Sequence, residues 1–352
     1  MKLKIVTLHS IYNPGSVFQA YALQHYLLKE GYDVEIIDYR PPYGTIGKNK
    51  IKGYLRKILF FKNEIKVKRK YEKFINDTMF LTASSYHSFN DLVKFDFNAD
   101  VYITGSDQLW NMDYDCGRDL SYYLEFVDGK KKISYATSIG KKIIPNDELN
   151  LIASRIQNFS MISVREESNS YVLSDKLQRK VSWVCDPVFL LSADDYKGMT
   201  SRQIKGKYVV VYLSEKSDLL NCIVNDVKNK TEFEVVLIGG NRTRCVCDMH
   251  IKDLGPYDFL SLILHAEIVI SSSFHATAFS LIFNKKFGVI LPKKNGERIE
   301  SMLNLCRLTN HIISNESDIV VIYEKINYSE INKELEKFIS ISKNILLQGI
   351  QN

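Results

Sequence analysis

Four short clusters in the 352-residue chain hold the residue types that do chemistry. Near the N-terminus, HSIYNPGSVFQ (residues 9–19) carries Asn13, Ser16 and Gln19 around an Asn-Pro-Gly turn. The turn leads into a helix that Ser16 is placed to cap, and the open amides of a helix start attract anions. A plain connecting turn with its cap is the structural alternative. The second cluster, GSDQLWN (residues 105–111), sets Ser106, Asp107, Gln108 and Asn111 beside Trp110. A carboxylate and amides grip sugar hydroxyls, and an indole face stacks on a sugar ring; a purely structural loop is the alternative. In the third, SVRE (residues 163–166), Arg165 directly follows a buried strand. A guanidinium there fits a carboxylate or phosphate in two-point geometry, unless an ion pair with Glu166 or Asp186 occupies it. The fourth, SSSFHAT (residues 271–277), runs a strand into Ser272 and Ser273 and starts a helix at an imidazole, His275. Free backbone amides and the helix dipole favour a phosphate at such a start, and the imidazole suits proton transfer near neutral pH. Arg298, in Gly296-Glu297-Arg298, offers a further cation.

The elements that must position these clusters alternate short β-branched runs with longer helical stretches. Strands are expected at Lys4–His9, Asp33–Tyr39, Asp100–Thr104, Lys132–Tyr135, Met161–Val164 and Val181–Val184. Helices are expected over Ser16–Glu30 and about Asn146–Asn158. A second series follows, with strands at Tyr208–Leu213, Glu234–Ile238, Glu267–Ile270 and Phe287–Leu291 and helices at Asp218–Lys230, Tyr257–His265 and Ala276–Phe283. Such alternation is the pattern of βαβ units on a parallel sheet, in which ligands bind at the carboxyl ends of the strands. All four clusters stand at strand ends. The expected fold is therefore α/β, with two Rossmann-like domains facing each other across a cleft in the manner of GT-B glycosyltransferases. Residues 1–195 form the first domain and 205–325 the second, with a linker between Leu191 and Gly206. A helix over 326–352, beginning near Ser329, closes the chain.

Composition narrows the function classes. The chain is 45% hydrophobic and 25% charged, as an ordinary globular protein is. No apolar run reaches membrane-spanning length, and the N-terminal residues read as a strand rather than a signal peptide, so the expected compartment is the cytoplasm. Six cysteines without a paired framework agree with that compartment. Cys245, Cys247 and His250 have no fourth ligand at metal-site spacing, so no metal is expected. The net charge of +6 is concentrated. Residues 48–73 hold eleven Lys and Arg against Glu64 and Glu72, interleaved with apolar side chains at helical spacing. This segment reads as a solvated helix face, or as one that docks on an anionic membrane at the inner face; nucleic acid is the third candidate and is not expected.

Taken together, the clusters resemble the polysaccharide pyruvyl transferase family. The matching segments are NPGSVFQAYALQ, ITGSDQLWN, ISYATSIG, ISVREES, CDPVFLL, DFLSLILHAEIVISSSFHATAFSLIFNK and ERIESML, in the family's order from about residue 5 to 305. Ala276 stands where the family usually shows glycine, and Pro14 and Phe18 also depart from its pattern. The resemblance implies transfer of pyruvate from phosphoenolpyruvate to two hydroxyls of a sugar as a cyclic ketal, in capsular or cell-surface polysaccharide biosynthesis. By residue, it implies that Arg165 and His275 are catalytic and bind the donor with Ser272, Ser273 and Arg298. Asn13, Gln19, Ser106, Asp107, Gln108 and Asn111 fall to the acceptor side. It implies no cofactor beyond phosphoenolpyruvate as co-substrate, and a lipid-linked oligosaccharide as acceptor. The alternatives are a nucleotide-sugar glycosyltransferase of the same fold and a non-catalytic protein that binds membrane or RNA.

Overall fold

A computed structural model describes residues 1–43, 50–239, 245–294 and 296–352, with the backbone alone over residues 50–62. The side chains of the first half of the basic segment and Gly240 therefore lie outside the described residues. The chain divides into two compact units. The first comprises Met1–Lys62, Tyr71–Leu191 and Lys337–Asn352, and the second comprises Asn63–Lys70 and Ser192–Glu336.

The first unit is built on a parallel sheet. Its strands are β1 (Lys2–Val6), β2 (Asp33–Tyr39), β3 (Leu81–Tyr86), β4 (Val101–Thr104) and β5 (Lys131–Ser134), in the order β3-β2-β1-β4-β5. A short parallel pair, β6 (Ser163–Val164) and β7 (Ser182–Trp183), continues it: Ile133 bridges Met161, and Ser134 N donates to Met161 O at 3.0 Å. Central strands of such a sheet are covered on both faces and so read as unbroken apolar runs. Leu3, Ile5, Ile36 and Ile103 are accordingly buried. The helices are α1 (Pro14–Lys29), α2 (Lys50–Thr78, of which Asn63–Lys70 count with the second unit), α3 (Phe89–Val93), α4 (Asn146–Ile156) and α5 (Glu167–Leu177).

The second unit repeats the plan. Strands β8 (Tyr208–Tyr212), β9 (Glu234–Ile238), β10 (Met249–Ile251), β11 (Ile268–Ser271) and β12 (Lys286–Val289) pair in parallel in the order β10-β9-β8-β11-β12. Helices α6 (Ala193–Lys197), α7 (Leu219–Lys230), α8 (Pro256–His265), α9 (Phe274–Ile282) and α10 (Glu297–Leu305) belong to it, and α11 (Tyr328–Gln351) closes the chain. Both units are thus Rossmann-like, as expected.

Several boundaries differ from the sequence reading. Strand β1 stops at Val6, because Thr7 and His9 turn into side-chain bonds with Ser106 and Asp38. The expected linker is partly ordered secondary structure. Ser192 and Asp195 form a reciprocal cap on α6, and Tyr196 is buried with its ring 5.0 Å from that of Phe279. Helix α11 is shared: it counts with the second unit through Glu336 and with the first from Lys337. In the first unit its Phe338 lies 4.5 Å from Trp183, and Ser342 Oγ accepts from the amide of Cys185 at 3.0 Å. None of the described helices is long and apolar enough to cross a membrane.

Candidate functional site

In a doubly wound sheet the chain leaves in opposite directions from two neighbouring strands, and the crevice above them accepts ligands. In the second unit those strands are β8 and β11. The turn after β11 is knitted by its serines: Ser271 Oγ donates to Tyr212 O at 2.9 Å, and Ser273 N donates to Ser271 Oγ at 2.9 Å. Ser272 Oγ accepts from the amide of Ser214 at 2.8 Å, which ties the turn to the loop after β8. Helix α9 starts earlier than the sequence implies. Ser273 is its N-cap, accepting from Ala276 N at 3.4 Å, so His275 lies inside the first turn rather than before it. His275 is buried, and its ring sits edge-on to that of Phe274 at 5.2 Å. The guanidinium of Arg298, on the first turn of α10, lies 5.6 Å from the Phe274 ring centroid. Residues 23 positions apart in the chain are thus gathered around one aromatic ring at a helix start. A cavity of about 270 Å³ opens at Ser272 in the same turn, lined also by Leu213, Lys216, Ser217, Ile290 and Lys293. Sequence reading missed Lys216 and Lys293, although both follow strand ends and their position was the available signal.

In the first unit the corresponding strands are β1 and β4. Asn13 is the cap of α1, accepting from Gly15 N at 2.8 Å, and Pro14 opens the helix, where its missing donor costs nothing. Ser16, expected as the cap, instead donates its hydroxyl to Asp107 Oδ2 at 2.5 Å. Asp107 Oδ1 accepts from the amide of Gln108 at 2.8 Å. Gln19 is buried, and its side chain is occupied by Thr7 and the carbonyl of Ser16. Asn111 is buried too, donating to Gln108 Oε1 at 2.8 Å and accepting from Asp113 N at 3.0 Å. Trp110, expected to offer a stacking face, lies in the core, its indole donating to Tyr122 O at 3.2 Å. A large indole with one donor is stable inside once that donor is satisfied, and here the chain doubles back to supply the carbonyl.

Arg165 is fully enclosed. Its Nη1 pairs with Asp186 Oδ2 and reaches Ser106 Oγ at 3.4 Å, while Ser106 Oγ also donates to Asp186 at 3.2 Å. The ion pair with Asp186 that the sequence offered is formed. Glu166 is buried as well, accepting from Ser138 Oγ and from Gly140 N. The loops after β4, β5 and β6 are therefore locked together by buried polar side chains, and Asp107 sits half-exposed above them.

A second network, buried at His9 and Asp38 and reaching the surface at Tyr12, supports the loop after β1. His9 Nε2 lies 2.8 Å from Asp38 Oδ1, which also accepts from Arg40 Nε at 2.7 Å, and Ser85 donates to Oδ2. Arg40 then forks onto both oxygens of Glu72 at 3.0 Å, and Tyr12 returns to Glu72 at 3.0 Å. Burial alone would raise the Asp38 carboxyl, but the hydrogen bonds from His9, Ser85 and Arg40 outweigh it and hold the group well below the usual carboxylate range. Among the described residues no group of three or more His, Cys, Asp and Glu is arranged to hold a metal ion.

A family model described as polysaccharide pyruvyl transferase matches residues 13–293. No curated protein sequence matches the chain. Solved structures similar in fold include the UDP-GlcNAc 2-epimerase of Methanocaldococcus jannaschii, with 11% identity, a TM-score of 0.52 and 93% of each chain covered. An alpha-glucosyltransferase in complex with UDP-glucose and DNA containing an abasic site shares 9% identity at a TM-score of 0.54, over 100% of both chains. The UGT89C1 protein of Arabidopsis thaliana, complexed with UDP-L-rhamnose, shares 10% identity at 0.57, over 99% of this chain and 98% of that one. At such identities the likeness is one of fold alone: the chain shares the GT-B arrangement of Rossmann-like halves seen in these structures.

Proposed function

The chain belongs to the polysaccharide pyruvyl transferase family, and from that premise we propose that it moves pyruvate from phosphoenolpyruvate onto two hydroxyls of a sugar, forming a cyclic ketal in capsular or cell-surface polysaccharide synthesis. The observation that carries the donor assignment is the turn after β11, where a capped helix start, His275 and Arg298 meet around Phe274. A helix N-terminus with a guanidinium beside it is suited to a phosphorylated carboxylate. Arg165, Ser272, Ser273 and Arg298 bind the donor in this reading, and Lys293 joins them because it lines the same cavity as Ser272.

His275 delivers a proton to the methylene carbon of phosphoenolpyruvate, which makes the neighbouring carbon electrophilic. A sugar hydroxyl attacks that carbon, phosphate departs, and the second hydroxyl closes the ring. Phosphate is a good leaving group and the cations offset its charge, so the reading includes no cofactor. The acceptor falls to the first unit, where Asn13, Ser106, Asp107 and Gln108 surround the crevice between β1 and β4. The buried Gln19 and Asn111 serve there by holding the loops. A lipid-linked oligosaccharide is the proposed acceptor, and the basic segment 48–73 the part that meets anionic lipid.

Calorimetric titration with phosphoenolpyruvate, UDP-sugars and inorganic phosphate, repeated on His275→Ala and Arg298→Ala, tests the donor. Phosphoenolpyruvate is expected to bind, and each variant to weaken it, Arg298→Ala by about 2–5 kcal/mol if the anion is left buried without its partner. Binding of a UDP-sugar instead would transfer the chain to the nucleotide-sugar glycosyltransferases that share its fold.

A further inference from the structure

Asp107 is the one residue of the acceptor crevice whose backbone is held in a conformation its side chain disfavours. Its φ is +83°, in the left-handed region that glycine occupies at far lower cost. The position follows Gly105 and Ser106 in a tight turn, and it carries a carboxylate where a hydrogen would relieve the strain. The strain is imposed from below. The carbonyl of Asp107 accepts from Ser138 N at 2.9 Å, Asp107 bridges Thr137, and Trp110 N donates back to Ser138 O at 3.2 Å. Ser138 is in turn held by the buried Glu166, and Ala136, two residues before it, is left-handed too, at φ +54°. Two strained residues on adjacent loops, clamped by a buried carboxylate, form a rigid platform at the carboxyl ends of β4 and β5. Strain of this kind persists where the surrounding structure over-determines it, and it collects at functional sites.

The platform fixes the carboxylate in a defined direction. Oδ1 is set by the amide of Gln108 at 2.8 Å and Oδ2 by the hydroxyl of Ser16, in the first turn of α1, at 2.5 Å. Each carboxylate oxygen has a second lone pair, and Asp107 is half-exposed while Ser106, Leu109, Trp110 and Asn111 around it are buried. We infer that Asp107 is the general base of the transfer, taking the proton from the attacking sugar hydroxyl. This deepens, and rests on, the pyruvyl-transfer reading. As the bond forms between the sugar oxygen and the ketal carbon, the O–H bond breaks, its electron pair stays on oxygen and its proton passes to an Asp107 oxygen. Of the two protons released by the diol, one balances the proton gained by the methylene carbon and the other leaves on phosphate, so no further reactant is needed.

The test measures phosphoenolpyruvate-dependent phosphate release with methyl glucoside, methyl galactoside and methyl mannoside as diol probes, on wild type, Asp107→Asn, Asp107→Gly and Ser16→Ala. Asp107→Gly removes the carboxylate while relieving the strain, so misfolding does not explain its loss. Both Asp107 variants are expected to bind phosphoenolpyruvate as wild type does and to lose at least about 100-fold in rate. Added formate is expected to restore part of the rate to Asp107→Gly. If the carboxylate only tethers Ser16, Ser16→Ala will lose as much as Asp107→Asn and formate will restore nothing, which overturns the inference while the pyruvyl-transfer reading stands. A wild-type protein that neither binds phosphoenolpyruvate nor releases phosphate overturns that reading, and the inference with it.

Discussion

Arg165 carries opposite meanings in a string of letters and in a folded chain. At a strand's carboxyl edge a guanidinium is suited to bind an anionic ligand, yet its Nη1 faces Asp186 and Ser106 inside the protein. A buried charge pair is costly to break on one side, because the abandoned partner stays buried. Arg165→Ala is therefore expected to lower unfolding free energy in urea by about 3–5 kcal/mol and, in the donor role that the family resemblance implies, to weaken phosphoenolpyruvate binding as well. Lost stability with unchanged affinity would leave Arg165 a structural role alone. Asp38 makes a separate prediction. Its folded carboxyl is depressed, so the unfolded chain binds the extra proton; the stabilisation is present above about pH 4 and drains as pH falls from there. The urea midpoint of the wild type should fall on acidification through that window, and Asp38→Asn should flatten the fall. Equal slopes for the two proteins would remove Asp38 from the acid response.

At the scale of elements, the helix starts show how local rules place a site. Asn13 rather than Ser16 caps α1, and the hydroxyl so released turns to Asp107. Ser273 rather than His275 marks the start of α9, which brings the imidazole within the first turn. The loop after β5 works as a strut for the loop after β4. Gly140 has φ +70°, and a Cβ there would sit 2.4 Å from Gln108 Oε1 and 2.9 Å from Asn111 Nδ2. Gly140→Ala is expected to cost about 1–3 kcal/mol through backbone strain and to disturb Gln108 directly. Thermal unfolding with acceptor titration checks it: a destabilised variant with unchanged acceptor affinity would separate the strut from the site. Two edge strands, β3 and β10, are elements that the sequence did not announce. β3 has polar, exposed residues (LTASSY) and meets β2 through a register shift, and β10 is three residues long. An edge strand is covered on one side only and needs no continuous apolar run, so its signal is weak.

Across the whole molecule, two units with the same strand order carry two switch points, each furnished differently. The first has carboxylate, amide and hydroxyl groups, and the second has imidazole, guanidinium and lysines. The basic segment belongs to this scale because it concerns the molecule's surroundings rather than its site. Its described part exposes Lys66, Lys68, Arg69 and Lys73, whereas Lys70 pairs with Asp253 and Asp258. With about 1 kcal/mol for each basic residue near an anionic surface, such a segment holds a protein to lipid at low salt and releases it as salt screens the charge. Flotation is expected with anionic vesicles, not with neutral ones, and to weaken with salt. Equal binding to both kinds, or to neither, would dispose of membrane docking.

What the sequence determined by itself was the class of fold, the two series of strands, the position of each chemical cluster at a strand end, and the family. All of these follow from short-range periodicity and from motifs a few residues long, which each segment carries whatever surrounds it. Tertiary structure alone decided which polar residues are buried and what they bond to there. Trp110, Gln19 and Arg165 bear the same functional groups whether exposed or buried, and their partners Tyr122, Thr7 and Asp186 lie on other turns or strands. The strain at Asp107 was equally hidden, since it is imposed by Ser138 and Glu166 from two neighbouring loops. A side chain's chemistry is local, but its availability is set by whichever distant group the fold brings within bonding distance first.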